Sequence, residues 1–278
     1  MVRWFGILVL FVVSVAHATP ASNPAFLGID MQDFGSGCQI KEVTACSPAK
    51  DAGLRALDVI VAMDGKPIFD GGRRSTCDIL RERILEKAPN ENVSYNVNRN
   101  GERVVVNATL ATRADVQHRC FVGRTLPSFD VTELDNPKHN YDLGELRGKT
   151  TVIGWVLLNR CSGCGAVFDA IADGMKRRLR NAEPAPLLLG LTPKPDAPNV
   201  LTRSGFSSTV AVATIALPDF EQLTLKENGE RIQFMVVDCR GVIRFAAPLA
   251  PGSEDLDAAV DELLAAVEQA ERLRTQRR

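Results

Sequence analysis

The sequence predicts an exported protein of two domains, a mainly β domain followed by an α/β domain. Residues 24–112 contain short β-rich segments and one segment of helical spacing, whereas residues 123–272 alternate buried strands with helices. A short apolar segment precedes both parts. The chain of 278 residues is long enough for two domains of about 100–150 residues each.

Residues 1–18 have the composition of a signal peptide. Arg3 supplies a positive charge, residues 4–15 are almost entirely apolar, and Ala16-His17-Ala18 predicts cleavage before Thr19. A membrane anchor is the alternative, but the apolar run is shorter than the roughly 20 residues that a bilayer requires. We therefore expect a periplasmic or otherwise extracytoplasmic protein without an integral membrane span in its mature chain.

Composition limits the partners that the protein can have. A formal net charge of −1 gives no electrostatic reason to expect a nucleic acid partner.

Of the seven cysteines, Cys161 and Cys164 alone show the spacing of a redox dithiol. The other five are odd in number, so at least one is free or pairs outside the chain; they are Cys38, Cys46, Cys77, Cys120 and Cys239.

These scattered cysteines have no pairing that the spacing alone reveals. We interpret Cys38 and Cys77 as small apolar residues of the core. Cys38 and Cys46 are not expected to pair with each other, because an extended segment of eight residues would separate them by about 25 Å.

The mainly β domain has a clear order of elements. Strands are predicted at 38–43, 58–63, 93–98 and 102–110, with a helical turn at 47–53 and a helix at 76–86. Asn100-Gly101 predicts a two-residue hairpin turn between the last two strands.

Several ordered motifs make residues 24–112 resemble a PDZ domain, in particular the kind found in HtrA-type proteases. The matching segments are Phe26-Leu27-Gly28-Ile29, Ser47-Pro48-Ala49, Ala52-Gly53-Leu54, residues 58–65 and Arg99-Asn100-Gly101. The resemblance implies a β-barrel or sandwich with helices, and a groove for peptide C-termini. It does not extend to the protease, because the chain lacks a nucleophilic serine in a glycine-rich active-site setting.

The resemblance also implies which residues bind the peptide. Backbone N–H groups of Phe26, Leu27, Gly28 and Ile29 would surround the carboxylate, and the strand from Ile29 would pair with the peptide. The pocket for its last side chain would be lined by Phe26, Ile29, Leu80 and Ile84. A bulky residue at Gly28, as in Gly28→Val, is expected to abolish binding. The alternative is that these residues are core residues of a module that binds no peptide.

Residues 113–122 are polar and read as a linker, and residues 273–278 as a basic tail. Between them, the pattern predicts buried strands at 150–158 and 187–191 and a helix over 161–180. A hairpin of strands 234–238 and 242–246, with its tip at Cys239-Arg240-Gly241, precedes a final helix from about 254.

The sequence Cys161-Ser162-Gly163-Cys164 follows a buried strand and opens a helix. A helix N-terminus and the adjacent Arg160 stabilise a thiolate, so Cys161 is the expected nucleophile and Cys164 the more buried resolving cysteine. A zinc site is an alternative, but four ligands are needed and the spare candidates nearby are His118 and Cys120. A static, redox-inactive bridge is another.

Residues 120–272 resemble the redoxin group of extracytoplasmic thioredoxin-like proteins, of the TlpA and ResA type. The matching residues are Gly123, Pro127, Phe129, Leu143, Leu146-Arg147-Gly148-Lys149, the CxxC segment and residues 236–241. The resemblance implies the same roles for Cys161 and Cys164. Two positions depart from the family: Arg160 replaces an aromatic residue, and Ile232 stands where the family has a cis-proline.

Together, these observations predict a thiol–disulfide oxidoreductase whose PDZ domain recruits client or partner peptides. Its expected partners are protein thiols or disulfides and C-terminal or extended peptides, and no cofactor or metal is expected. Two alternatives stay open: a non-enzymatic adaptor, and a metallochaperone that holds copper on the dithiol.

Overall fold

The structure is a computed structural model, and it describes residues 24–134, 140–157, 163–193, 210–225 and 232–276. The predicted signal peptide and Cys161 lie outside these residues. The described part contains two β-sheets, one in each half of the chain. Three clusters of buried apolar side chains accompany them, one in the first domain and two on either side of the second sheet.

The first domain is built from six strands and two helices. The strands are β1 (Ile29–Phe34), β2 (Gly37–Val43), β3 (Val59–Met63), β4 (Lys66–Pro67), β5 (Asn92–Arg99) and β6 (Glu102–Thr109). The helices are α1 (Pro48–Asp51) and α2 (Thr76–Leu85). Neighbouring strands follow the order β1-β2-β3-β5-β6, with β4 paired to β3, so β1 lies at an edge of the sheet.

The predicted hairpin between β5 and β6 is confirmed. Arg99 pairs with Glu102, and Asn100 and Gly101 between them have positive φ values of 53° and 88°. Positive φ at both central positions is the geometry of a type I′ turn, which matches the twist of the two strands. The two ends of the first domain meet where Phe26 and Ala111 form an isolated β-bridge.

A helix, α3 (Arg113–Phe121), occupies the segment that was expected to be a linker. Thr112 and Asp115 form a capping box at its start. The helix packs on the second sheet and buries Val116, Cys120 and Phe121 in the cluster on that side. The connection between the domains is therefore a structural part of the second one.

The second sheet has seven strands in the order β13-β12-β9-β10-β11-β7-β8. Their bounds are β7 (Asp130–Glu133), β8 (Asn140–Asp142), β9 (Thr151–Trp155), β10 (Leu187–Pro193), β11 (Ala211–Ile215), β12 (Ile232–Val237) and β13 (Ile243–Leu249). The helices after α3 are α4 (Cys164–Arg178), α5 (Leu217–Leu223) and α6 (Leu256–Thr275), and a short 3₁₀ helix spans Leu143–Leu146.

The connectivity of this sheet is that of a thioredoxin-like fold. β9, α4 and β10 form a β-α-β unit with parallel strands, and β12 pairs antiparallel with β9 on its other side. β13 completes the antiparallel hairpin, and α6 follows it. Side chains of α4 and α6 cover one face of the sheet, and those of α3 and α5 cover the other. The predicted fold class is confirmed for both domains.

The end of the chain differs from the basic tail predicted at 273–278. Helix α6 continues to Thr275, and Arg274 within it is buried. Its Nε donates to the buried Glu271 carboxylate at 3.0 Å. A charged residue with a buried partner one helical turn away becomes part of the packed helix rather than of a solvated tail.

Candidate dithiol site and peptide groove

Cys164 is the first residue of α4, on the side of the sheet where β9 ends and β12 begins. The preceding Gly163 has φ of 84° and provides no side-chain cap, so the first N–H groups of α4 are not capped by this residue. Cys164 is disulfide-bonded and only 2% exposed, within the apolar cluster that includes Val156 and Phe168. Cys161, the predicted nucleophile, lies outside the described residues.

The surroundings of Cys164 come from the opposite strands. Ile232, which the sequence resemblance matched to a cis-proline, begins β12, and its side chain is fully buried in the same cluster. It pairs with Leu249 at the end of β13. Pro251 follows soon after, and its Cβ would lie 3.3 Å from a Cβ added at Gly163. An apolar isoleucine and a proline-containing turn therefore border the start of α4.

Cys239 lies far from this end of the sheet. It occupies the turn between β12 and β13, at the opposite end of β12 from Ile232, and its thiol is free and half-buried. The preceding Asp238 organises this turn. Burial pushes the pKa of Asp238 up, but hydrogen bonds from the N–H groups of Val242 and Arg240 and from Arg244 outweigh it and lower the pKa.

The candidate peptide groove lies between the edge strand β1 and helix α2, which contact each other. The N–H of Thr44 donates to the Gly28 carbonyl at 2.9 Å, one residue outside the Ile29–Val43 pair. Ile29 and Val43 therefore form a non-hydrogen-bonded pair, and the N–H of Ile29 points away from β2. No described hydrogen bond uses the N–H groups of Leu27 and Gly28. Consecutive donors at this position suit a carboxylate.

Gly28 is held in place by the segment that follows β2. The Ser47 hydroxyl donates to the carbonyl oxygens of Thr44, at 2.7 Å, and Gly28, at 3.3 Å, and the Ala49 N–H donates to the Leu27 carbonyl at 2.9 Å. Gly28 has φ of +86°, and a Cβ added there would lie 2.2 Å from the Ser47 Cβ. Substitution of Gly28 would disturb this support directly, so the expected effect of Gly28→Val does not isolate the carboxylate site.

The side chains of the predicted peptide-binding residues fall into three groups. Leu27, Leu80 and Ile84 are buried in the core of the first domain. Ile29 is half-buried against that core. Phe26 differs, because it packs on the cluster of the second domain and its ring lies 4.4 Å from the Arg113 guanidinium carbon. Packing between the domains thus draws Phe26 away from the first domain's own core.

A disulfide joins β2 to α2 beneath the groove. Cys38 and Cys77, interpreted from the sequence as small core residues, are bonded, with their Cα atoms 5.0 Å apart. Met31 of β1 is in contact, with its Sδ 3.3 Å from the Cys38 Sγ. The prediction that Cys38 and Cys46 do not pair with each other is confirmed, since Cys46 is bonded to Cys120.

The far end of the groove is fixed by Asp33. Its carboxylate accepts hydrogen bonds from the Cys77 N–H at 3.0 Å, the Thr76 hydroxyl at 2.7 Å and the Ser75 hydroxyl at 3.0 Å. These bonds, that from the Cys77 N–H first, lower the pKa of Asp33. The end of β1 is therefore tied to the beginning of α2, and the two elements run side by side from there.

The Asp30 side chain accepts a hydrogen bond from a backbone N–H group on the exposed edge of β1. Its Oδ1 accepts a hydrogen bond from the Met31 N–H at 2.9 Å, and its Oδ2 lies 3.3 Å from the Lys41 ammonium. An incoming peptide strand would need the Met31 N–H as a donor. In this structure the Asp30 carboxylate occupies that donor, so peptide pairing beyond Ile29 competes with it.

Sequence reasoning missed the Cys38–Cys77 and Cys46–Cys120 disulfides. The expectation of export, together with four cysteines besides Cys161, Cys164 and Cys239, was a signal that disulfides were present. Within the described residues, no cluster of three or more His, Cys, Asp or Glu side chains could hold a metal ion. Nor does any helix in that part of the chain combine the length and apolar character needed to span a membrane.

The first domain matches a known family of protein domains. Residues 25–110 match the family model of the PDZ domain. The serine protease Do-like HtrB of Bacillus subtilis (strain 168) is 33% identical over 89 residues, which are 32% of this chain and 18% of that protein. The chain thus corresponds to less than one fifth of this curated relative's length.

Similar solved structures exist for each half. The HtrA3 PDZ domain bound to a phage-derived ligand is 23% identical, covering 32% of this chain and 86% of that one, with a TM-score of 0.27. BsSco, a member of the Sco family of cytochrome c oxidase assembly proteins, is 17% identical, covering 54% of this chain and 95% of that one, with a TM-score of 0.40. Residues 25–110 thus match the PDZ family model, and the strand order of the second sheet described above is that of a thioredoxin-like fold.

Proposed function

We propose that this protein is an extracytoplasmic thiol–disulfide oxidoreductase that uses Cys161 and Cys164, with clients recruited through its PDZ domain. The observation that carries the proposal is the position of Cys164, which opens α4 beside the central strand β9 and is disulfide-bonded. Helix N-termini of this kind stabilise thiolates, and a CxxC segment there is suited to exchange.

Cys161 is the proposed partner of Cys164 in this disulfide. Cys38 pairs with Cys77, Cys46 pairs with Cys120, and Cys239 is free. In the proposed reaction, the Cys161 thiolate attacks a client disulfide and forms a mixed disulfide, expelling one client sulfur as a thiolate. Cys164 then attacks Cys161, which releases the second client thiol and leaves Cys161 and Cys164 oxidised. The client gains two electrons, and run in reverse the cycle oxidises it.

The burial of Cys164 fits the resolving role. A cysteine that is 2% exposed is poorly accessible to a protein client, whereas its sulfur can react with a neighbour in the same chain.

Peptide recruitment is proposed from the geometry of the groove. The N–H of Ile29 faces the edge of the sheet, and no described hydrogen bond uses those of Leu27 and Gly28, which together suit a C-terminal carboxylate. Ile29→Asp should abolish binding of C-terminal peptides, because its carboxylate would repel that of the peptide. Val105→Asp, at an exposed position on β6 of the same domain, is the matched control and should bind normally.

An extracytoplasmic location is proposed from two features. Residues 1–18 have the pattern of a signal peptide. The two disulfides of the first 120 residues support it, because such bonds persist in oxidising compartments and are rare in the cytosol of mesophiles. Fractionation of cells that express the full chain tests this part, and retention of the protein in the cytosol would contradict it.

The redox mechanism is tested by trapping. Cys164→Ser keeps the nucleophile but removes the resolving thiol, so client proteins should accumulate as mixed disulfides on non-reducing gels. Cys161→Ser should trap few, and Cys239→Ser, which removes the free thiol at the other end of β12, should behave as wild type. Equal trapping by the first two variants, or none by either, would favour a non-enzymatic adaptor.

The direction of the reaction follows from the reduction potential of the Cys161–Cys164 couple. A value near about −270 mV would indicate a reductase, and one near about −120 mV an oxidant. The measurement is made by equilibration with glutathione buffers followed by alkylation and mass mapping of these two cysteines, so that the other disulfides do not contribute to the signal.

A further inference from the structure

The disulfide between Cys46 and Cys120 joins the two domains. Cys46 lies in the segment between β2 and α1 of the PDZ domain, and Cys120 lies near the end of α3, which packs on the second sheet. The residues are 74 positions apart in sequence and their Cα atoms are 5.5 Å apart. The Cys120 Sγ also lies 3.3 Å from the Ala45 carbonyl oxygen, so the bond sits within the contact between the domains.

This disulfide is more accessible than the one beneath the groove. Cys38 and Cys77 are 0% and 5% exposed, so neither sulfur is open to an attacking thiolate. Cys46 is half-buried, while its partner Cys120 is buried. Thiol–disulfide exchange requires direct approach to one of the two sulfur atoms. Cys46 therefore offers the point of attack, and Cys120 is the leaving thiolate.

The backbone conformation at Cys46 favours opening of the bond. Cys46 has φ of 56°, in the left-handed region that residues other than glycine rarely adopt. A backbone strained in this way persists only where its surroundings hold it, so breaking the bond would allow the segment to relax.

We propose that the Cys46–Cys120 disulfide is a redox-sensitive link between the domains, opened by a dithiol reductant. One thiolate of the reductant attacks the Cys46 Sγ and forms a mixed disulfide, and the Cys120 thiolate leaves and is protonated. The second thiol of the reductant then attacks the first and releases Cys46 as a thiol. Two electrons pass to the protein, and the reductant departs as a disulfide.

Opening this link loosens the side of the PDZ domain that supports the peptide site. Ser47, next to Cys46, holds the Gly28 carbonyl. Next to this link, the Arg119–Asp51 ion pair at 2.9 Å also joins the two segments, and both of its side chains are about half exposed. Exposed ion pairs contribute little to stability. The Cys38–Cys77 disulfide remains, so reduction releases the contact between the domains and leaves the groove helix attached.

The proposal does not depend on the dithiol chemistry, and its test uses the full chain with Cys161→Ser and Cys164→Ser. Dithiothreitol is titrated in, free thiols are alkylated, and the modified cysteines are mapped by mass spectrometry. Cys46 and Cys120 should open at a dithiothreitol concentration at least about tenfold lower than Cys38 and Cys77. Simultaneous opening, or earlier opening of Cys38 and Cys77, would overturn the proposal.

A second measurement tests the structural consequence. Trypsin cleavage after Arg113 or Arg119, at the junction of the domains, should be at least about tenfold faster once Cys46 and Cys120 are reduced, since it follows the population of opened forms. Cys46→Ser with Cys120→Ser should reproduce this without reductant, whereas Cys38→Ser with Cys77→Ser should leave cleavage at the junction slow. Unchanged cleavage after selective reduction would show that the bond does not hold the domains together.

Discussion

Gln117 of α3 and Gln233 of β12 are 116 residues apart and form a buried hydrogen bond, in which Nε2 of Gln117 donates to Oε1 of Gln233 at 2.9 Å. Gln233 also accepts from the Leu225 N–H at 3.1 Å and donates to the Leu223 carbonyl at 2.6 Å. One side chain thus connects α3, the end of α5 and the strand that begins beside Cys164.

This arrangement predicts unequal effects of two similar substitutions. Gln233→Leu removes the hydrogen-bond partner of three buried groups, which are the Gln117 amide, the Leu225 N–H and the Leu223 carbonyl. It should therefore lower the free energy of unfolding by about 3 kcal/mol. Gln117→Leu should lower it by only about 1 kcal/mol, because Oε1 of Gln117 has no partner among the described residues and its loss removes an unfavourable group. Urea unfolding followed by Trp155 fluorescence measures both, and equal effects would contradict the prediction.

The Asp33 carboxylate should make the first domain sensitive to acid. Its pKa is lowered in the folded protein from the ordinary value of 3.8, so its contribution to stability is present above that value and is lost as the pH falls through the lowered pKa. Asp33→Asn should therefore melt at a lower temperature than wild type at pH 7, with the difference narrowing below pH 3.8. Glu86→Gln, at the exposed end of α2, is the control for removal of a surface carboxylate. Thermal unfolding followed by circular dichroism at several pH values distinguishes the two.

Removal of the Asp30 carboxylate should strengthen peptide binding. Asp30→Ala frees the Met31 N–H for pairing with an incoming strand, and one such hydrogen bond corresponds to an affinity gain of about 2- to 10-fold. The gain should occur with C-terminal peptides of four or more residues and be absent with dipeptides, which do not reach Met31. Asp30→Asn retains an acceptor and serves as the control. Fluorescence polarisation with peptides selected from a C-terminal library tests it, and weaker binding by Asp30→Ala would contradict it.

Two paired glycines in the second sheet offer a matched comparison. Gly154 of β9 and Gly190 of β10 lie opposite each other. A Cβ at Gly154 would lie 2.3 Å from the Phe168 ring and 2.7 Å from that of Phe234, whereas one at Gly190 would be at an ordinary 3.5 Å from Phe168. Gly154→Ala should destabilise the protein by about 1–3 kcal/mol through overpacking, and Gly190→Ala should be near neutral. Urea midpoints of the two variants provide the test.

Local patterns in the sequence predicted most elements of the fold. The Asn100-Gly101 turn, the buried strands and the hairpin that carries Cys239 depend on short-range chemistry that the residues themselves display. Helix α3 could also have been predicted from the sequence. Thr112 and Asp115 form a capping signature, and Val116, Cys120 and Phe121 repeat with helical spacing, but the polar residues between them suggested a linker.

The disulfides and the orientation of Phe26 depend on packing between distant segments, and no local pattern could reveal them. Cys46 meets Cys120 only because α3 packs between the domains, and Phe26 turns toward Arg113 for the same reason. The sequence predicted a helix over 161–180 directly after a buried strand; α4 does follow β9, but it begins three residues later than predicted, at Cys164.

Helix α3 begins only two residues after the bridge between Phe26 and Ala111, and it is fixed on the second sheet. Under the proposed function, a client bound to the PDZ groove would therefore not be tethered by a flexible chain. Its reactive cysteine would sample a narrow range of distances from the dithiol, so its effective concentration there would be either very high or close to zero. Clients would be distinguished by the number of residues between their C-terminus and their reactive cysteine, and a ladder of peptides differing only in that spacing should react with a sharp optimum.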